Sequence, residues 1–333
     1  MHGVEQVKRR DILVFIGGLL ANLPSVPWAQ QTPQPLEFGM LFPGPADGAA
    51  VRAEFLWRGL KEKGFIEGKN VALLSRAAAY EPDGLSRLAK ELASSDAKVI
   101  VAVGPPAVRA VKDATTKPII AIDLETDPVA SGLVASLARP GGNLTGLFLD
   151  FPEFAGKWLE LLQQAVPKLA RVAVFWDPTT GRVQVNAAEA AARQRGLNLH
   201  IIEIKDPSGF ENAFALAMRE KTDGLVILSS PLFGTAVGAK PVAELAARYR
   251  LPAISPFPEF AQVGGLMGYG TSVPDLFHQA GVLVGRVLKG EKPADMPVER
   301  PTRLRLTINM KVAKTLNLDM PLSLTGRADE VIE

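Results

Sequence analysis

The sequence predicts an α/β protein built as two doubly wound lobes with parallel sheets, joined by a hinge, and three observations carry that expectation. From Leu36 onward, short runs that are apolar at nearly every position alternate with longer helical stretches, the pattern of parallel strands covered on both faces. The chain has 333 residues, enough for two such cores. It also carries a weak internal echo: VIVAVGPPAVRAV…TTKPIIAID, from Val99, resembles LVILSSPLFGTAV…RYRLPAISP, from Leu225. Each half of the echo is a buried strand, a turn of small residues and proline, a helix, and an X-Pro step into the next strand. Proline at a strand start removes one backbone donor and biases its predecessor toward extended geometry.

Taken in order, the first strand series is LEFGMLF (36–42), VALLSR (71–76), KVIVAV (98–103), PIIAID (118–123) and NLTGLFL (143–149). The second is RVAVFW (171–176), LNLHIIEI (197–204), GLVILS (224–229), PAIS (252–255) and GLMGYG (265–270). Helices are expected over 46–63, 85–94, 154–166, 183–195, 241–250 and 275–288. In open parallel sheets, ligands settle beyond the carboxyl ends of the strands. Two facing lobes would therefore place a site in the cleft between them, with closure as a hinge motion.

The N-terminus has a different character. Lys8-Arg9-Arg10 precedes an apolar stretch from Ile12 to Leu23, then a Pro-rich segment ending in Trp28-Ala29-Gln30-Gln31. These are the parts of a cleaved secretory leader over 1–29. The apolar run falls short of the about 20 residues that span a bilayer. Arg9-Arg10 followed by Asp11-Ile12-Leu13 also fits a loose twin-arginine pattern. There is no cysteine, which excludes disulfides, thiolate metal sites, a cysteine nucleophile and a lipidated anchor. A chain so exported is expected to be periplasmic and free of a lipid anchor.

Other function classes find little support. Hydrophobic residues make up 47% and charged residues 22%, with a net charge of +2 and basic side chains scattered among acidic ones. A nucleic-acid partner calls for a concentrated basic stripe. His2, His200 and His278 are far apart and stand near no second metal-type ligand. No G-x-S-x-G elbow occurs. GFIEGKN (64–70) is one residue short of a phosphate loop and ends in Asn; Gly64 reads as a helix cap followed by a turn. No catalytic set, metal or cofactor is expected.

Several long segments, in order, carry a family resemblance: LARPGGNLTGL (137–147), PEFAGKWLELLQQAVPKLARVAVFWDP (152–178), ELAARYRLPAISPFPEFAQVGGLMGYG (244–270) and the C-terminal KGEKPADMPVERPTRLRLTINMKVAKTLNLDMPLSLTGRADEVIE (289–333). Together they closely resemble the ABC-transporter substrate-binding family that includes tryptophan-binding lipoproteins. The resemblance implies a type I periplasmic-binding-protein fold with three crossovers. Lobe 1 would comprise 34–147 plus 271–299, and lobe 2 would comprise 148–270 plus 300–333. It further implies an ABC permease and ATPase as partners and a ligand in the amino-acid or aromatic-compound range, held by a monomeric receptor. Two departures stand out. The lipobox is missing, and Pro105 stands where many relatives carry a hydroxyl residue able to bind a ligand carboxylate.

Candidate ligand contacts follow from the strand ends. The first lobe offers Phe42 after its first strand, Gly104 and Pro105 after its third, and Glu125 and Asp127 after its fourth. Asp127 is a candidate acceptor for a ligand ammonium, or alternatively the cap of a helix beginning near Pro128. The second lobe offers Asp177, then Ser229, Ser230 and Pro231, then Pro256, Phe257 and Glu259, the last expected to be exposed on a helix start unless the cleft recruits it. Tyr269, framed by Gly268 and Gly270, reads either as a lid over a ligand or as a core aromatic beside a turn. Trp57, Trp158 and Trp176 read as packing residues. An amino acid or small aromatic carboxylate held between Asp127, Ser229 and Tyr269 is the working expectation. The alternatives are a ligand-sensing regulator domain of the same fold and a periplasmic enzyme on a doubly wound sheet.

Overall fold

The computed structural model describes residues 34–81, 83–149, 154–234 and 236–333; the leader expected over 1–29 lies outside them. The first sheet is made from β1 (Leu36–Phe42), β2 (Val71–Ala77), β3 (Ile100–Val103), β4 (Ile119–Asp123) and β5 (Leu144–Phe148). All its pairings are parallel, in the order β2-β1-β3-β4-β5. Its connecting helices are α1 (Ala46–Glu62), α2 (Gly84–Ser94) and α3 (Pro105–Ala114). Strands β3, β4 and β5 are buried at every position, because helices cover both faces.

After α4 (Ala155–Ala165) the same plan recurs: β6 (Arg171–Trp176), α5 (Val183–Arg195), β7 (Asn198–Glu203), α6 (Phe210–Arg219), β8 (Gly224–Ile227), α7 (Ala236–Arg248), β9 (Ala253–Ser255), α8 (Glu259–Gln262) and β10 (Met267–Gly270). The order β7-β6-β8-β9-β10 repeats the first sheet strand for strand. The sequence echo therefore falls on topologically equivalent units, β3-α3-β4 and β8-α7-β9. α7 starts earlier than expected, with Pro241 inside it rather than at its head.

The C-terminal end adds what the strand series did not include. α9 (Val273–Leu288) is followed by β11 (Arg305–Asn309), α10 (Met310–Thr315), α11 (Leu322–Thr325) and β12 (Glu330–Ile332). β11 pairs antiparallel with β10 and parallel with β12, so the second sheet ends β12-β11-β10.

The chain passes between the sheets three times. It leaves the first sheet after β5, and it returns at Thr271–Ser272 as α9, which lies along α1. The two helices approach closely through glycine: a Cβ on Gly59 would sit 1.9 Å from the His278 carbonyl, and one on Gly281 would sit 2.1 Å from that of Leu56. The following segment runs beside β5, where Thr145 Oγ1 donates to the Met296 carbonyl (2.8 Å) and the Phe148 N–H donates to that of Glu299 (3.0 Å). It then crosses to β11.

Apolar clusters fill both faces of each sheet. Leu41, Leu92 and Val108 pack under α2 and α3, and Phe175, Phe214 and Val242 under α6 and α7. The faces toward α1, α9, α4 and α5 join in one continuous core that includes Phe38, Leu56, Trp158 and Val174. Each such side chain contributes roughly 1.5–3 kcal/mol of burial, and Pro35–Glu333 forms one compact unit.

Candidate functional site

The carboxyl ends of both sheets meet at a small, half-open space. Its walls are Val103 and Gly104 after β3, Ile122, Leu124 and Glu125 at the end of β4, Ser230, Pro231 and Gly234 after β8, and Phe257 after β9. Arg52 from α1 and Val273, Leu276 and Phe277 from α9 complete it. The cavity measures about 30 Å³. Ligand clefts commonly hold at least roughly 300 Å³, so the space as it stands is too small for a solute of several heavy atoms. A larger depression of about 480 Å³ along β7, lined by Arg171, Glu189 and His200 among others, is an open groove on the outer edge of the second sheet. It touches none of the strand-end loops.

Four contacts close the gap. The Ser229 hydroxyl donates to Glu125 Oε1 at 2.6 Å. Arg109, on α3, donates to the Thr179 carbonyl at 3.2 Å. Gly104 lies against Pro231: its φ of +79° needs glycine, and an added Cβ would stand 2.6 Å from Pro231 Cγ. Tyr80, following Ala79 in left-handed backbone, also reaches from the first sheet to the apolar cluster of the second.

The acids at this gap are heavily engaged. Asp123 Oδ1 accepts from the Glu125 and Thr126 amides (3.1 Å each), and its Oδ2 accepts from the Thr126 hydroxyl at 2.6 Å. Glu125 Oε2 accepts from the Leu124 N–H at 3.0 Å, and its Oε1 takes the Ser229 hydroxyl. Asp177 Oδ1 accepts from the Thr179 amide (2.9 Å) and hydroxyl (2.7 Å), while Oδ2 accepts from the Ser230 hydroxyl at 2.5 Å. Burial raises all three carboxyls. Glu125 rises furthest, to about 8, with burial first and the neighbouring Asp123 second.

Arg52 is the opposite case. It is 3% exposed on the buried side of α1, among Ala49, Ala53 and Leu56. Its Nη1 donates to the Gly48 carbonyl at 3.1 Å, and its guanidinium lies 4.3 Å from the Phe42 ring centre and 5.5 Å from that of Phe277. Nε has no hydrogen-bond partner among the described residues. Burial pulls its pKa down to about 9, which leaves it a cation at neutral pH.

Of the residues expected from sequence, Gly104, Glu125, Ser230 and Pro231 line the cavity, and Ser229 closes it. Phe42 lies beneath Arg52, and Pro105 is the buried first residue of α3. Asp177 sits behind Ser230. Three residues sit apart from the working expectation, Tyr269 by following the second of its two readings, the core aromatic. Asp127 is exposed, and its Oδ1 accepts from the Val129 and Ala130 amides (2.8 and 3.1 Å). It braces a turn, and the helix expected from Pro128 does not form, since Gly132 at φ +70° ends the turn at once. Glu259 is mostly buried rather than exposed, because the chain running into α9 folds over it; burial raises its pKa, partly offset by Ser272. Tyr269 is no wall of the cavity. Its carbonyl accepts from Trp158 Nε1 at 2.9 Å and its ring leans on Phe154, so it packs against α4. Trp158 is fully buried, and Trp57 packs edge-on to Phe38.

Sequence reasoning missed Arg52 and Phe277. Arg52 had a readable signal: it is a charged residue on the apolar stripe formed by Ala49, Ala53, Leu56 and Leu60.

Comparison with known proteins bears on the same architecture. A curated tyrosine-binding protein of Clostridioides difficile (strain R20291) is 26% identical over 275 residues, covering 78% of this chain and 75% of the relative. The crystal structure of a conserved domain protein from Vibrio cholerae matches with a TM-score of 0.79 at 22% identity, covering 89% of this chain and 99% of that one. The ABC domain of a Streptococcus pneumoniae protein, solved with L-Trp, matches at 0.78 and 24% identity over 90% and 100%. The fold is therefore that of the type I periplasmic binding proteins, and the family model for ABC transporter substrate binding proteins matches residues 46–332. This chain belongs to the ABC transporter substrate binding protein family.

Proposed function

We propose that the chain is the periplasmic receptor of an ABC importer, released from its 1–29 leader, and that it captures a small carboxylate-bearing solute between its two sheets. The class of solute in this reading is an amino acid or a small aromatic carboxylate. The observation that carries it is the cavity at the facing strand ends, walled by apolar side chains, with one buried cation and one buried acid turned into it. The tyrosine-binding and L-Trp-complexed relatives support the same class. The moving bodies are 34–147 with 271–299 and 148–270 with 300–333. An ABC permease and ATPase receive the loaded, monomeric receptor, and the solute leaves chemically unchanged.

A thermal-shift screen of amino acids, aromatic acids, short organic acids and sugars tests this. A ligand that binds only the folded chain raises its melting temperature by mass action, so an acid or amino acid is expected to give the shift and to be recovered intact. Conversion of the solute to product refutes the receptor. A response to sugars alone refutes the carboxylate class. Cell fractionation that finds the mature chain in the cytosol refutes the location.

A further inference from the structure

We propose that Arg52 anchors the ligand's carboxylate, and that this cleft takes a small carboxylic acid with an apolar body and no ammonium group. The inference rests on the receptor reading above and narrows its ligand class.

An isolated buried charge is costly, and proteins retain one where a partner arrives. Arg52 is such a charge. It forms no ion pair among the described residues, its Nε is unpartnered, and two phenyl rings hold the guanidinium at the cavity wall. Arginine's planar fork matches a carboxylate with two parallel hydrogen bonds.

The usual rival for a carboxylate is a helix N-terminus, where free N–H groups point outward. Here α3 begins Pro105-Pro106, so its first two positions have no N–H to offer. That leaves this terminus a weaker anion site than the Arg52 fork.

An ammonium group would need a charged carboxylate facing it. Glu125 is the one acid among the lining residues, and its oxygens accept from the Leu124 amide and the Ser229 hydroxyl; Glu259, whose buried Oε2 has no hydrogen-bond partner among the described residues, is not one of the lining residues. Apart from Ser230, whose hydroxyl donates to Asp177, the other walls are apolar, among them Val103, Ile122, Leu124, Phe257 and Leu276. Burial also holds a proton on Glu125 near neutral pH, which leaves Arg52 as the net charge facing the ligand.

The test uses the full chain and two matched pairs, phenylpropanoate with L-phenylalanine and isocaproate with L-leucine, each pair differing only by the α-ammonium. Calorimetric titration is expected to favour the deaminated acid of at least one pair by on the order of 100-fold, since a buried unpaired ammonium costs several kcal/mol. Arg52→Met, similar in length, is expected to lower that affinity by on the order of 100-fold, with Arg52→Lys between the two. Titration in buffers of different ionisation enthalpy is expected to show no proton release, because Glu125 keeps its proton. An amino acid that binds more tightly than its deaminated partner, with release of a proton, overturns the proposal and leaves the receptor standing. Unchanged affinity in both Arg52 variants overturns it as well. Silence toward every pair, with a response to sugars, removes the carboxylate class and this inference together.

Discussion

The loop after β3 and the loop after β8 occupy the same place in two copies of one topology, yet they do opposite work. In the first sheet, Gly104-Pro105-Pro106 offers no side-chain donor and almost no backbone donor. In the second, Ser229 and Ser230 present two hydroxyls, one bound across the gap to Glu125 and one within the sheet's own half to Asp177. The first loop supplies a flat apolar surface that lets the halves touch. The second supplies the polar latch. Duplicated architecture thus positions two equivalent loops, and their few side chains divide closure into shape on one side and hydrogen bonding on the other.

The sharpest way to break this contrast is to spoil the flat side. Gly104→Ala puts a methyl 2.6 Å from Pro231 Cγ at φ +79°, ψ 158°, a region almost restricted to glycine that costs an L residue roughly 1–3 kcal/mol before the clash. Ligand affinity is expected to fall by on the order of 100-fold, with a melting temperature lowered by a few degrees. Adding Pro231→Ala should recover part of the affinity by removing the obstructing ring. Undiminished affinity in the single variant would mean that these two loops do not meet in the bound state.

The latch is tested through pH. The folded pKa of Glu125 lies near 8, above its unfolded value of about 4.5, so the folded chain binds more protons across that window. Its contribution to stability is therefore fullest below about pH 4.5 and is lost as pH rises toward 8. Asp123 and Asp177 shift in the same direction and add to the slope. Glu125→Gln, neutral at every pH, is expected to flatten the fall in melting temperature over this range without abolishing it. A slope equal to that of the parent chain would place the proton elsewhere.

The smallest effect belongs to Asp127, outside the contrast altogether. Asp127→Ala loses the acceptor for two turn amides and should cost about 1 kcal/mol or less. Ligand affinity is expected to be unchanged in titration. A selective loss for ammonium-bearing ligands would restore Asp127 to the site and count against the anchoring role of Arg52.

Much of this was legible because it is local. Strands such as IVAV and IIAID are apolar at consecutive positions since both faces are covered, and Val183–Arg195 forms the helix that its pattern predicts, ending at Gly196 in left-handed backbone. β11 was harder to see. RLTIN alternates polar and apolar residues, but its pairing partner β10 lies 35 or more residues back in the chain, and the register links Gly270 with Arg305. At the site, loop identity was readable from strand ends, which is how Gly104, Glu125 and the Ser229–Pro231 turn were found. Side-chain direction was not readable: Asp127 and Glu125 stand two residues apart, and one faces solvent while the other is sealed in.

Periodicity and strand-end chemistry, properties of neighbouring residues, determined from the sequence alone that this protein has two repeated α/β halves with candidate contacts on their facing loops. Only the tertiary structure decided that Arg52, on the first helix, stands across a cavity from residues after β4, β8 and β9. The reason is that burial of a charge, and the lack of a partner for it, depend on atoms brought together from distant parts of the chain. Apolar α1 residues announce a buried face; which guest a cation on that face awaits is set by what the folded walls leave unpaired.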